Sequence, residues 1–262
     1  IMIISQTPMR ISLAGGGTDL PDYYSHEPGA VLTTAVNKYM YITANQYFEK
    51  KIFLKYSKTE LVENVKDVRH PLLRECLKLT QTGPGVEITS MADIIGGTGL
   101  GSSSSFTVGV LHALHALRGK FCAAEKLARE ACDVEINRVK EPIGKQDQYI
   151  AAHGGFQFIQ FGPGEQVAVN PLLCPPGTKE KLLSRLMLFY TGATRAAGTI
   201  LRGQKSNTKA NLKLLGRLSN LAHQARRDLS AGDSATMGEI LHEGWEIKKQ
   251  LARGISNPEI DG

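Results

Sequence analysis

The chain has 262 residues, 42% of them hydrophobic and 21% charged, with a formal net charge of +6; this is the composition of a globular protein with room for one large or two modest domains. No apolar run approaches the roughly 20 residues that span a bilayer. The opening Ile1–Ser5 lacks the basic head and long apolar core of a signal peptide, and Cys76, Cys122, Cys132 and Cys174 form no CxxC pair, against a disulfide frame or zinc site. A cytoplasmic protein is expected, with four reduced thiols. The mild positive charge suits a phosphorylated small molecule, and no basic-aromatic motif points to RNA, so neither nucleic acid nor membrane is an expected partner.

Ile3 and Ile4, then Ile11 and Leu13, predict a first hairpin ahead of Gly15-Gly16-Gly17. Ala30 to Phe48 is rich in Val, Thr, Tyr and Ile and reads as strand, with a further strand at Ile52 to Tyr56. Pro71 to Leu79 reads as a short helix with proline in its first turn. Val86 to Met91 alternates as a strand does. Helices are expected at Ser103–Leu117 and Ala123–Val139, and a strand at Gly155 to Phe161. Cys174-Pro175-Pro176-Gly177 is the best boundary between two domains, 1–174 and 175–262. Beyond it, Leu186–Tyr190 reads as strand and most of Thr199–Leu251 as helix. The class is α+β.

Four stretches carry chemistry. Gly96 to Ser105 reads GGTGLGSSSS. Its glycines let the backbone curl with N–H groups inward, and the following helix start adds unpaired donors and a positive dipole end, which together suit phosphate. A plain structural turn is the alternative. The loop is not a Walker loop, since no Gly-Lys-Ser/Thr ends it. Glu135 falls on a helix face with Ala124, Ala128 and Ala131; a carboxylate there needs a partner, either a salt bridge to Lys or Arg or a magnesium ion, which prefers oxygen ligands. Asp147 stands between Gln146 and Gln148 after a Pro/Gly turn, as a helix cap or as a base held by amides. Finally, Thr7 to Asp19 places Arg10 ahead of Gly15-Gly16-Gly17-Thr18-Asp19, a backbone suited to close approach by a ligand, with Asp19 able to accept from sugar hydroxyls. His112 and His115 share a helix face and read as structural. Arg202, Lys205, Lys209, Lys213 and Arg217 fall on one face of a helix opposite Leu214, Leu215, Leu218, Leu221, Ala222 and Ala225, an amphipathic pattern whose basic side is solvated or attracts phosphates.

Together these stretches resemble the GHMP kinase superfamily, and over essentially the whole chain its sugar-1-kinase branch. The resemblance rests on Pro8–Asp19, Gly97–Ser105, Glu135 and Gly144–Gln148, with Asn37–Tyr39, Tyr190–Arg195 and Ile255–Asp261 besides. It implies a two-domain α+β architecture, with an N-terminal domain like domain 2 of ribosomal protein S5 and a ferredoxin-like C-terminal domain. It implies ATP and Mg²⁺, and transfer of a phosphoryl group to the anomeric hydroxyl of D-glycero-D-manno-heptose 7-phosphate, giving the 1,7-bisphosphate. A kinase for another sugar such as fucose or galactose is one rival; a catalytically silent sensor on the same fold is another. By resemblance, Asp147 and Arg10 are the catalytic pair. Gly97, Thr98, Gly99, Leu100, Gly101, Ser102, Ser103 and Ser104 wrap the nucleotide phosphates. Ser103 and Glu135 hold magnesium, and Gly16, Gly17, Thr18 and Asp19 bind the sugar. Apart from the resemblance, Arg195 in the Thr191–Arg195 loop is a candidate for contact with the sugar's remote phosphate. Ile95 stands where the family usually has proline. The family's third, Gly-Ala-Gly motif is not reached by Gly262; Asn257 to Asp261 reads as the opening of another helix, and the C-terminal domain is expected to continue.

Overall fold

Why the chain lays down strands where it does is clearest in β2 (Gly29–Gln46), where Met40, Ile42 and Ala44 turn inward at every second position. The computed structural model describes residues 1–190, 211–252, 254–257 and 260. Ahead of β2 come β1 (Met2–Ala14) and α1 (Pro21–Tyr24); after it come β3 (Ile52–Lys55), β4 (Thr59–Val62), α2 (Pro71–Leu79), β5 (Val86–Ala92), α3 (Ser102–Leu117) and α4 (Ala124–Cys132). A π-helical segment (Asp133–Arg138) follows α4, then α5 (Gln146–His153), β6 (Phe156–Gly162), β7 (Gln166–Pro171) and α6 (Thr178–Leu183). The last two described helices are α7 (Leu212–Ser230) and α8 (Met237–Leu251).

Two compact units divide the chain. The first takes Ile1–Arg10, Ala35–Glu141 and Asp147–Gly154; the second takes Ile11–Thr34, Pro142–Gln146 and Gly155–Gly262. This differs from a cut at 174/175, because β1 and β2 are continuous strands that each contribute to both units.

In the first unit the strand order is β4-β3-β5-β2. The β2–β5 pair is antiparallel, with Met40 opposite Ala92 and Gln46 opposite Val86. β5 and β3 run parallel, and β3 and β4 antiparallel. Ile42, Ile52 and Leu54 meet Leu77 of α2 and Val110, Leu111 and Leu114 of α3 in one apolar cluster, all of them fully buried. Each such side chain contributes roughly 1.5–3 kcal/mol by leaving water. Gly109 lets α3 approach the strands closely: a Cβ there would stand 2.9 Å from Thr7 Oγ1 and 3.1 Å from Ile42 Cγ1.

In the second unit β2 pairs antiparallel with β6, Gly29 opposite Phe161 and Thr34 opposite Phe156, and β6 with β7. Phe158, Leu172, Leu215, Leu218, Ala222, Ala225, Leu229 and Ile247 form its core. The amphipathic reading of α7 holds. Its exposed Lys213 and Arg217 lie on the outer side, Arg217 pairing with Glu243 of α8 at 2.7 Å. Arg202, Lys205 and Lys209 lie outside the described residues.

Several expectations are corrected. The first hairpin is one continuous strand, β1, since no turn residue interrupts Met2–Ala14. Leu186–Tyr190 pairs with no strand among the described residues; its Met187, Leu188 and Phe189 are exposed. The helix at Ala123–Val139 winds into the π segment from Asp133, with Val139 N bonding Val134 O. The described part of the last helix breaks at 231–236, where Gly232 has φ +88°. His115, expected to be structural, is buried with Nε2 2.6 Å from Glu130 Oε2, and Cys122 joins them with ligand atoms all within 4.8 Å of one another. Among the described residues no helix is long and apolar enough to cross a membrane.

One polar anchor holds the first unit's loop ahead of α2. Glu60 of β4 accepts from Arg69 N at 2.7 Å, His70 N at 3.1 Å and Tyr56 Oη at 2.7 Å. Burial works to raise its pKa, but these donors win and hold the carboxyl below the ordinary value. Glu60→Ala strands buried donors and is expected to lose about 2–4 kcal/mol of stability, read as a lowered urea midpoint at pH 7. Because the folded pKa is depressed, Glu60's ionic contribution is present above its unfolded pKa and is lost as pH falls through the folded one. The gap between variant and parent should therefore narrow in acid.

Candidate active site

β1 delivers Arg10 and the first turn of α5 delivers Asp147, residues 137 apart in sequence. Arg10 Nε donates to Asp147 Oδ1 and Nη2 to Oδ2, each at 2.7 Å. This two-pronged fork fixes both planes, and the side chains are only 13% and 23% exposed. Asp147 is therefore held by a cation, where the sequence suggested the flanking glutamine amides. The remaining Arg10 nitrogen, Nη1, donates to Gly99 O at 2.5 Å, and Arg10 N donates to Leu100 O at 3.0 Å. The guanidinium thus ties the glycine loop to the carboxylate.

Within that loop Gly97, Gly99 and Gly101 have φ of +83°, +76° and +74°, a left-handed region that favours glycine. Thr98 Oγ1 bonds back to Ile95 O at 3.3 Å. A Cβ on Gly101 would also sit 3.2 Å from Arg10 Cγ and 3.3 Å from Asp147 Oδ2. Gly101 is the N-cap of α3, so the helix's unpaired N–H groups follow directly.

The four serines divide their work. Ser102 faces a cavity. Ser103 Oγ donates to Glu135 Oε1 and Ser104 Oγ to Glu135 Oε2, both at 2.7 Å. Ser105 Oγ donates to Pro8 O at 2.7 Å and anchors α3 to β1. Glu135 also accepts from Gln148 Nε2 at 2.6 Å, a partner that sequence reasoning missed because Gln148 seemed to serve its neighbour Asp147. Glu135 has no exposed surface, and among the described ion pairs it has no cation. Burial pushes its carboxyl above the ordinary value; the bonds from Ser103, Ser104 and Gln148 pull the other way, and the charge of Asp147 adds to the rise. The expected Lys or Arg salt bridge is absent from the described residues. A buried carboxylate with neutral donors only, its Oε1 beside a serine hydroxyl, is the hard-oxygen set that magnesium takes. A π-helical turn at such a residue is a common mark of function.

Beside the loop lies a cavity of about 520 Å³ lined by Ile95, Gly96, Ser102, Ser103, Phe106, Met40, Tyr56 and His70, among others, within the size range of small-molecule sites. His70 stacks on Phe106 at 5.1 Å and meets Tyr56 edge-on at 4.7 Å. Burial lowers the His70 pKa, favouring the neutral ring. This wall suits a flat heterocycle.

In the second unit, the turn after β1 is built around Thr18 and Asp19. Thr18 is fully buried; its hydroxyl donates to Gly15 O at 2.8 Å and Ala30 O at 3.0 Å and accepts from Ala30 N at 3.1 Å. Its hydroxyl is engaged by backbone and shapes the turn. Asp19 accepts from Gly17 N and Gln146 N, each at 3.1 Å. Gly144 must be glycine here: a Cβ would fall 2.0 Å from Asp19 Oδ2. Arg195 lies outside the described residues.

The site is thus an arginine–aspartate fork bound to a glycine loop, with a second caged carboxylate beside the loop. Residues 60–155 match the GHMP kinases N terminal domain. The chain is 29% identical over 273 residues to a D-glycero-alpha-D-manno-heptose 7-phosphate kinase of Campylobacter jejuni, covering 99% of this chain and 80% of that protein. It is 26% identical over 309 residues to the L-fucokinase/L-fucose-1-P guanylyltransferase of Bacteroides fragilis, covering 99% of this chain and 32% of that one. Among solved structures, a D-glycero-D-manno-heptose 1-phosphate kinase from Bacteroides thetaiotaomicron superposes with a TM-score of 0.82 at 26% identity, covering 95% of this chain and 79% of the other. Residues 60–155 carry a GHMP kinases N terminal domain, and the chain is an enzyme of phosphoryl transfer.

Proposed function

We propose that this protein is a sugar kinase that transfers the γ-phosphoryl group of ATP to the anomeric hydroxyl of D-glycero-D-manno-heptose 7-phosphate. The observation that carries the reading is the Arg10–Asp147 fork tied to Gly99. Asp147 takes the proton from the C1 hydroxyl as that oxygen bonds to γ-phosphorus; the bond from γ-phosphorus to the bridging oxygen breaks, and ADP leaves. Arg10 holds Asp147 in place and offsets charge on the moving phosphoryl group. The loop from Gly97 to Ser104 supplies N–H and hydroxyl donors to the nucleotide phosphates, and the Tyr56–His70–Phe106 cavity accepts the base. Ser103 and Glu135 would hold Mg²⁺, which neutralises phosphate charge when bound. Gly16, Gly17 and Asp19 bind the sugar, with Asp19 accepting from its hydroxyls. The similarity to the D-glycero-alpha-D-manno-heptose 7-phosphate kinase over 99% of this chain supports the choice of acceptor.

ATP turnover by the full-length protein against a panel of sugars and sugar phosphates tests this. Heptose 7-phosphate is expected to give the highest kcat/KM, with a product carrying phosphate at C1. Preference for an unphosphorylated sugar would favour the second reading, a kinase of the fucose type, which the 26% identity to the L-fucokinase supports.

A further inference from the structure

The absence of a side chain at Gly16 leaves a small polar space in the second unit. The position a Cβ would occupy there lies 3.2 Å from Ser12 Oγ, 3.3 Å from Lys248 Nζ and 3.7 Å from Gln146 Nε2. Three elements supply these groups: the end of β1, the last turn of α8 and the first residue of α5. A cavity of about 160 Å³ adjoins Ser12 and Lys248; its other walls are largely apolar, with Leu218, Leu221, Ile240 and Leu241 among them. Among the described residues Ser12 Oγ is buried and has no hydrogen-bond partner. A buried hydroxyl without a partner costs about 1–3 kcal/mol, so an acceptor at this point relieves a penalty already built in. Two neutral donors and one permanent cation facing one glycine match the oxygens of a phosphoryl group.

We propose that Ser12, Gln146 and Lys248 form an anion subsite that binds a phosphoryl group, and that in the enzyme this is the non-reacting phosphate of the acceptor. The second half rests on the heptose 7-phosphate reading. Lys248 supplies the charge, while Ser12 and Gln146 orient the oxygens. The subsite then separates a sugar phosphate from the free sugar, because an acceptor lacking the phosphate leaves Ser12 Oγ unpaired.

The test uses full-length protein, Lys248→Met and Ser12→Ala, with Lys248→Arg as the conservative control. Sugar phosphate, the corresponding free sugar and ATP are varied separately. For Lys248→Met, KM for the sugar phosphate is expected to rise about 10-fold to 100-fold, with KM for ATP and kcat within twofold and activity on the free sugar unchanged. Lys248→Arg recovers part of the loss, and Ser12→Ala shows a smaller rise of the same kind. An unchanged KM for the sugar phosphate, or an equal loss on the free sugar, overturns the subsite. A rise in KM for ATP alone assigns the anion to the nucleotide and overturns its assignment to the acceptor. Inorganic phosphate is the probe that does not depend on the sugar: it should raise Tm of the parent protein and not of Lys248→Met. If that difference appears while the parent prefers free sugars, the anion subsite stands and the heptose 7-phosphate reading falls. If phosphate stabilises both proteins equally, the subsite falls.

Discussion

Asparagine in place of Asp147 is expected to lower kcat by about 10²-fold to 10⁴-fold, with the KM values for nucleotide and sugar changed far less. The substitution keeps the shape of the side chain and removes two things at once, the proton acceptor and one half of the fork with Arg10. One amide hydrogen pair would then face Arg10 Nε or Nη2, now 2.7 Å from a carboxylate oxygen, and two donors cannot bond each other. Arg10 keeps its bond to Gly99 O, so the variant should fold. Tm is the control for that, and single-turnover kinetics isolates the chemical step. Loose phosphoryl transfer leans on positioning and charge more than on proton removal, which argues for the lower part of the range. A fall of only two-fold to three-fold would remove the base from the mechanism.

Glu135→Gln should separate activity from stability. Kcat is expected to fall about 100-fold or more, because magnesium contributes several kcal/mol to charge stabilisation and a neutral amide is a poor ligand for it. In metal-free buffer the same variant should be the more stable protein at pH 8. The folded pKa of Glu135 is raised, so its acid form is favoured in the fold. The penalty for holding it charged appears as pH climbs from the unfolded value through the folded one, and is absent below that window. Glutamine removes the penalty at pH 8, read as a higher Tm than the parent's. The gap should close near pH 4, and added Mg²⁺ should raise Tm of the parent alone. A variant less stable than its parent in metal-free buffer at pH 8 would show that the serine and glutamine donors fully compensate the charge.

How far the sequence could be read depended on what each signal measures. Helix α2 was legible at both ends because Pro71 marks its start and the apolar spacing runs to Leu79. β1 was misread because Pro8 and Arg10 interrupt the apolar pattern without interrupting the strand: the pattern reports burial, and Ile4 lies exposed within the same strand. β4 and β7 are short, and β7 is largely exposed or half-buried, so neither leaves a strong alternation. The interleaving of the two units was invisible because no composition shift accompanies a strand that passes from one to the other. In the site, the types Arg10, Asp147, Ser103 and Glu135 were legible from motif chemistry, and the structure brings Arg10 to Asp147 and Ser103 to Glu135. What sequence could not give was direction: Thr18 points into the backbone and Gln148 reaches Glu135 across from α3. Neighbours on a helix point about 100° apart, so Asp147 and Gln148 were bound to serve different partners.

The three-way grip of Arg10 makes loop shape and base position a single thermodynamic variable. A substitution that withdraws the Gly99 carbonyl leaves the guanidinium free to rotate, and rotation slackens the fork on Asp147. Loop variants and Arg10 variants should then be strongly non-additive in a double-mutant cycle. On the proposed reading, phosphates that drew the loop into one shape would also stiffen Asp147 through Arg10, so geometry at the carboxylate would follow occupancy of the loop.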